Sequence, residues 1–284
     1  MRELYRTQFV ELMKEGAAVQ DIHDSPAALG YAVTHSGSNQ FIQRELTRVD
    51  HHRNNACWLL EEYVGRADRI LDVGCGTGGF SVALASSPVL CPAKVVGIDA
   101  SRLAVEAAQV RAIGYDLPPT RLSFLGCSPG EPLPFEDDCF DLTVCSSVIE
   151  FVTSKRARAE LIRELGRVTR PGGYVFISTP NPLRLHEYHS RKFLGDFFHR
   201  SGYPWASCPW EFSRLFSGWQ EIPVTKYYRR KLARRLGTRL PIPESVVRFI
   251  SWIAPWQNRL FHKDPASKMA PLERSMQAGA GASA

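Results

Sequence analysis

The segment Ile70-Leu-Asp-Val-Gly-Cys-Gly-Thr-Gly-Gly79 constrains this chain more than any other. A short apolar run leads into glycines at 74, 76 and 78, and a helix-forming stretch follows. Glycines at such a turn let the chain reverse tightly and let backbone lie against a ligand with no Cβ in the way. The helix that follows turns unpaired N–H groups and the positive end of its dipole toward a carboxylate or phosphate. Gly74, Gly76 and Gly79 also satisfy G-x-G-x-x-G, so a nicotinamide-dinucleotide site and an oxidoreductase remain a competing reading.

Downstream of Gly65, short apolar runs alternate with helical stretches. The runs are 69–73, 94–98, 121–125, 140–146 and 174–179, and the intervening helices are expected at 79–86, 101–113 and 154–169. Near-continuous apolar strands separated by helices predict a doubly wound, mostly parallel α/β sheet covered on both faces. Pro171-Gly-Gly173 breaks the last helix from the last of these strands, and Pro180-Asn-Pro182 ends that strand. The resulting division is 1–64 as an N-terminal helical lid and 65–182 as the ligand-binding core. Residues 183–263 read as an acceptor-side insertion with an irregular C-terminal extension, and 264–284 as a disordered tail rich in Ala, Gly and Ser.

Within that extension, Trp210–Trp219 has the pattern of a short amphipathic helix and Val224–Tyr228 that of a further strand. The seven cysteines form no C-x-x-C pair, so neither a disulfide framework nor a zinc site is expected. The start, Met1 to Gln8, lacks the apolar stretch of a signal peptide, and no run reaches the ~18 apolar residues of a membrane span. A cytoplasmic location is the resulting expectation.

The glycine string, with Asp72 two residues before its first glycine, resembles the first motif of class I, Rossmann-like methyltransferases that use S-adenosylmethionine (SAM). Other segments match that family in order and spacing. Val96-Gly-Ile-Asp-Ala-Ser101 ends a strand on Asp99, where the resemblance implies an acceptor for both ribose hydroxyls, with Ala100 beside it. Cys127 and Ser128 fall where the family brackets adenine. Many relatives carry an acid there and this chain does not, which leaves backbone groups, Ser128 or the nearby Glu131. Ser146, Ser147 and Val148 fall where the family borders the methionine moiety, and Phe151 stands where many relatives place a His. Arg170-Pro-Gly-Gly173 and Ile177-Ser-Thr-Pro180 resemble the fifth-strand signature. The resemblance spans roughly residues 55–182 and implies SAM as cofactor, bound by Asp72, Gly74, Cys75, Gly76, Gly78, Asp99, Ala100, Cys127, Ser128, Ser146 and Ser147.

The activity implied is methyl transfer to a hydrophobic small molecule, at a hydroxyl, as in quinone and natural-product biosynthesis. A hydroxyl acceptor needs a base, and the candidates are His186 and His189, just after the fifth strand, with Glu150 as a further one. His186-Glu-Tyr-His189 is not the H-E-x-x-H metal helix and has no third ligand near it, so no metal is expected. A SAM-fold protein that binds ligand or catalyses another reaction is an alternative that donor-site residues alone do not exclude. Arg44 or Arg48 in the lid could pair with the SAM carboxylate.

Net charge is +6. The strongest local concentration is Tyr227–Arg239, followed by the aromatic stretch 246–261. No RNA-binding signature accompanies it, so nucleic acid is not an expected partner. A helix packing its aromatics on the sheet is the first reading of this segment, and peripheral membrane contact the second.

Overall fold

Five parallel strands set the frame of the computed structural model: β1 (Arg69–Val73), β2 (Lys94–Asp99), β3 (Leu122–Gly126), β4 (Phe140–Ser146) and β5 (Thr169–Pro180). The structure describes residues 3–18, 39–128, 130–152, 154–181, 209–237, 242–254 and 256–265. Within these, β6 (Gln220–Ile222) and β7 (Trp256–His262) extend the sheet to the order β3-β2-β1-β4-β5-β7-β6, with β7 antiparallel to both neighbours. The strand order reverses between β1 and β4. In open α/β sheets ligands bind outside the strand carboxyl ends at such a reversal.

Alternation along each strand divides the core in two. Ile70, Val95, Leu142, Val144, Phe176 and Leu260 face one side. That side is covered by α4 (Trp58–Tyr63), α5 (Gly79–Ala85) and α6 (Arg102–Gly114), and by Tyr227 and Tyr228 of α9 (Thr225–Leu236) and Val247 of α10 (Glu244–Ile253). Leu71, Val96, Ile98, Phe140, Val175 and Ile177 face the other side, under α7 (Lys155–Val168) and α8 (Pro209–Leu215). Ser101 and Ser154 cap α6 and α7 by accepting the N–H of Ala104 and Ala157, at 3.2 and 3.3 Å.

The N-terminal helices α1 (Glu3–Ala18), α2 (Asn39–Leu46) and α3 (Arg48–His52) lead through a π-helical turn (Arg53–Cys57) into α4. α1 rests on α6 through Phe9, which meets Ala107 and Val110.

The C-terminal part departs from expectation in two places. Residues 224–228 are not a strand: β6 stops at Ile222, and Thr225 opens the helix α9. The adjacent tyrosines look β-forming, but both are buried where the helix carries them, Tyr227 stacked on Trp58 and Tyr228 bonded to Asn258 and Trp256. Tertiary packing outweighs β-propensity here. Nor are the described residues of the extension irregular: Phe261 lies inside the sheet on β7, stacked 4.1 Å from Phe216 of the segment 209–219, so these two parts complete the core.

Candidate functional site

The loop from β1 to α5 uses each glycine differently. Gly74, Gly76 and Gly78 have φ of +71°, +51° and +75°, a region that costs other residues energy. A Cβ on Gly78 would sit 2.8 Å from Ala108 Cβ and 2.9 Å from Phe124 Cζ, so this glycine lets α5, α6 and β3 close together. A Cβ on Gly74 would collide with the Val148 side chain, which comes over from the end of β4. Gly76 is the exception, because a Cβ there would meet nothing within 4 Å. Open space over a strained backbone is what a seated ligand needs. Gly78→Ala is therefore expected to lower stability by more than ~1 kcal/mol, from strain plus collision. Gly76→Ala should carry the strain alone and lose donor affinity; denaturation curves and SAM calorimetry on both variants separate the two roles.

Asp99 ends β2 directly across this opening. Its Oδ2 accepts the Gly76 N–H at 2.8 Å and its Oδ1 the Ser101 N–H at 2.9 Å. Desolvation pushes its carboxyl above the ordinary range, against the pull of the amides of Ser101, Gly76 and Ala100. A carboxylate has roughly four acceptor positions, so capacity remains for hydroxyl donors. Asp72 is turned inward instead. It is fully buried, accepts the Ser81 hydroxyl at 2.6 Å, and is pushed up to about 7 by burial. Its visible work is to tie β1 to α5.

A buried ion pair bolts the N-terminal helices to the loop. Arg111 of α6 donates from Nε to the Thr77 carbonyl at 2.7 Å and from Nη2 to the Thr77 hydroxyl at 2.9 Å. The same guanidinium reaches the Glu45 carbonyl at 2.7 Å and Glu45 Oε2 at 3.3 Å, while Thr77 Oγ1 also donates to Glu45 Oε2. Phe9 lies under the guanidinium, 4.3 Å from ring centre to Cζ. Arg48 pairs with Glu45 Oε1 at 3.3 Å, and its aliphatic stem runs over Gly79. His52 stacks on Phe80 with ring centres 4.7 Å apart. Desolvation, followed by the charge of Arg48, lowers it well below 6.5, so it is neutral at physiological pH.

At the carboxyl end of β4, Ser147 adopts φ +61° and its N–H donates to Ser178 O of β5 at 2.8 Å. The next turn carries Glu150, which is 1% exposed. Its Oε2 accepts the Thr179 hydroxyl at 3.0 Å, and its Oε1 has no hydrogen-bond partner among the described residues. Burial pushes this carboxyl up to about 7, the range in which a carboxylate can take a proton at neutral pH.

The structure thus gathers Gly74, Cys75, Gly76, Gly78, Asp99, Ala100, Ser146, Ser147 and Glu150 at one edge of the sheet. Cys127 is beside Asp99, but its N–H is already given to Asp99 O at 3.0 Å, so that amide is not free to read adenine. Its thiol is raised to about 11 by burial, with the charges of Asp99 and Glu131 adding to the effect. Arg44 is exposed at the end of α2. His186 and His189 lie outside the described residues. Glu45, Thr77, Arg111 and Thr179 were not legible in advance. Arg111 reads as an ordinary last-turn cation of α6, and only the fold brings residues 45, 77 and 111 together.

Residues 71–177 match the family model described as a methyltransferase domain. Over 141 residues the chain is 32% identical to the ubiquinone biosynthesis O-methyltransferase of Leptothrix cholodnii, covering 49% of this chain and 54% of that protein. The corresponding mitochondrial protein of Rattus norvegicus is 34% identical over 117 residues, which is 41% of this chain and 32% of that one. The match thus spans about half the length, or less, of these curated relatives. Among solved structures, the fold is similar to a phosphoethanolamine N-methyltransferase of Haemonchus contortus solved with phosphoethanolamine and S-adenosylhomocysteine. The TM-score is 0.55 at 14% identity, covering 98% of this chain and 53% of that one. It is also similar to a Pyrococcus horikoshii protein, with TM-score 0.52 at 16% identity, covering 83% of this chain and 99% of that one. At such identities the likeness speaks for the fold alone. The open Gly76 and the Asp99 carboxylate facing it leave room for a nucleoside donor, and the region 71–177, which holds them, is similar to methyltransferase domains.

Proposed function

We propose that the protein transfers the methyl group of SAM to a hydroxyl of a hydrophobic small molecule. The observation that carries this reading is Asp99, its carboxylate held by the Gly76 and Ser101 amides across an unfilled space above Gly76. Asp99 accepts the two ribose hydroxyls, Gly76 gives the cofactor room, and the side of Val148 packed on Gly74 walls the methionine end with Ser146 and Ser147. SAM supplies a sulfonium-activated methyl group, so no electrophile has to be generated by the protein. What the chain must do is align the acceptor, an effect that can supply about 7–11 kcal/mol of the barrier, and remove its proton. Glu150 is assigned that proton, on the strength of its free Oε1 and raised pKa. Support for a hydroxyl acceptor comes from relatives named as O-methyltransferases.

Asp99→Ala should weaken SAM binding by at least ~1.5 kcal/mol, the worth of a charged acceptor of hydrogen bonds. Isothermal calorimetry checks this, and unchanged affinity in a folded variant removes Asp99 from the site. The oxidoreductase alternative is tested in the same instrument, since heat on adding NAD with none on adding SAM would reverse the assignment.

A further inference from the structure

We propose that α9 and α10 form a docking surface for an anionic lipid bilayer, set beside the mouth of the donor crevice. Between Thr225 and Leu236, α9 carries six cations and no acid. Two are engaged, Lys226 with Glu62 at 2.7 Å and Arg229 with Glu244 of α10. Arg230, Lys231, Arg234 and Arg235 are exposed and have no acidic partner among the described residues. Arg230 is held outward over the face of Trp58, 4.0 Å from its ring centre.

Large apolar side chains stand exposed on the same pair of helices: Leu236 at 63%, Val246 at 41% and Phe249 at 63%. Val246 and Phe249 are three apart and share a helix face, while Val247 between them is buried. The Arg229–Glu244 pair joins the two helices, so the cations and the apolar residues belong to one unit. Cations bordering protruding apolar side chains are the pattern of a segment that lies in a membrane interface. A polyanion such as nucleic acid would use the cations and leave Leu236, Val246 and Phe249 without a role. No helix among the described residues is long and apolar enough to cross a membrane, so this contact would be peripheral.

Hydrogen bonds locate the unit. The Tyr228 hydroxyl donates to Trp256 O at 3.1 Å, and Trp256 pairs with Pro180, the last residue of β5. Tyr228 therefore reaches the carboxyl end of β5, on the edge of the sheet that holds Asp99, Ser147 and Glu150. Burial, and after it the positive charges of Arg48 and Lys231, lower the pKa of His51 on α3, so Lys231 of α9 lies within electrostatic reach of α3. A bilayer against this face would present apolar molecules at the crevice. That last consequence rests on the methyl-transfer reading, whereas the docking itself is measured without turnover.

The test is co-sedimentation of the full chain with vesicles of phosphatidylcholine, and of phosphatidylcholine mixed with phosphatidylglycerol, at low and high salt. Wild type should pellet with the anionic vesicles at low salt, be released by high salt, and stay in solution with phosphatidylcholine alone. Arg234→Glu/Arg235→Glu should lower the partition more than about tenfold, because attraction is replaced by repulsion. Phe249→Ser should lower it as well, which a purely electrostatic partner would not require. Calorimetry with SAM on each variant checks that the fold is intact, so a failed donor reading and a failed docking surface are told apart. Wild type remaining in the supernatant with anionic vesicles at low salt overturns the proposal. So does a charge-reversed variant that pellets like wild type, a Phe249→Ser variant with undiminished partition, or binding of duplex DNA with no binding of vesicles.

Discussion

Arg111→Met is expected to destabilise the protein by about 3–5 kcal/mol, the cost of breaking a buried ion pair by removing one partner. Arg111 is 0% exposed and Glu45 1%, so the carboxylate left behind cannot be rehydrated in place. The Thr77 hydroxyl still donates to it, and Arg48 stands 3.3 Å from its other oxygen, which sets the expected value toward the lower end. Urea denaturation measures the loss. Pairing the change with Glu45→Met should recover much of it, because an apolar pair has no uncompensated charge. The double variant should still bind SAM more weakly than wild type, since the Thr77 carbonyl and hydroxyl lose the donors that hold the glycine loop to the N-terminal helices. A single variant within about 1 kcal/mol of wild type would mean that the N-terminal helices and the loop are joined by other contacts.

Glu150→Gln should lower turnover by ~10²–10⁴ while SAM affinity is retained, if this carboxylate takes the acceptor's proton. The wild-type rate should rise through about pH 7 and level above it, because the carboxylate form is the base and burial places its pKa at about 7. Stability has the opposite sign. A carboxyl whose folded pKa lies above its ordinary 4.5 binds a proton more tightly when folded, so stability falls as pH rises from about 4.5 to about 7. Asp72, also raised to about 7 by burial, contributes a fall of the same sign. Glu150→Gln should therefore make the pH dependence of stability shallower without abolishing it, as urea midpoints across that range would show. If turnover survives Glu150→Gln and is lost instead in His186→Ala or His189→Ala, the base is a histidine of the segment after β5.

The core strands were legible because their residues are buried on both faces and so read as continuous apolar runs; β1, with four of five residues buried, is the clearest case. Asp99 was legible for a related reason, as an acid at the end of such a run and just before the serine that caps α6. The C-terminal elements were not. Tyr227 and Tyr228 carry a β-like local signal that helix packing overrides, and 246–261 changes from helix to strand within one apolar stretch. Periodicity cannot separate those two states over so few residues.

What the sequence determined by itself is therefore the local chemistry: a strand, a glycine turn free of side chains at Gly76, a helix, and an acid one strand away at Asp99. Each of these is written within a few consecutive residues, because turn dihedrals and strand burial are properties of short segments. Tertiary structure alone decided what closes the site. It set Glu45, Thr77 and Arg111 into one buried network, brought Thr179 to Glu150, laid Val148 on Gly74, and inserted β7 antiparallel beside β5. Those partners lie about thirty or more residues apart in sequence, and each side chain alone is compatible with an exposed surface. Only the chain's return across the sheet excludes water from them and turns ordinary polar residues into a lock and a candidate base.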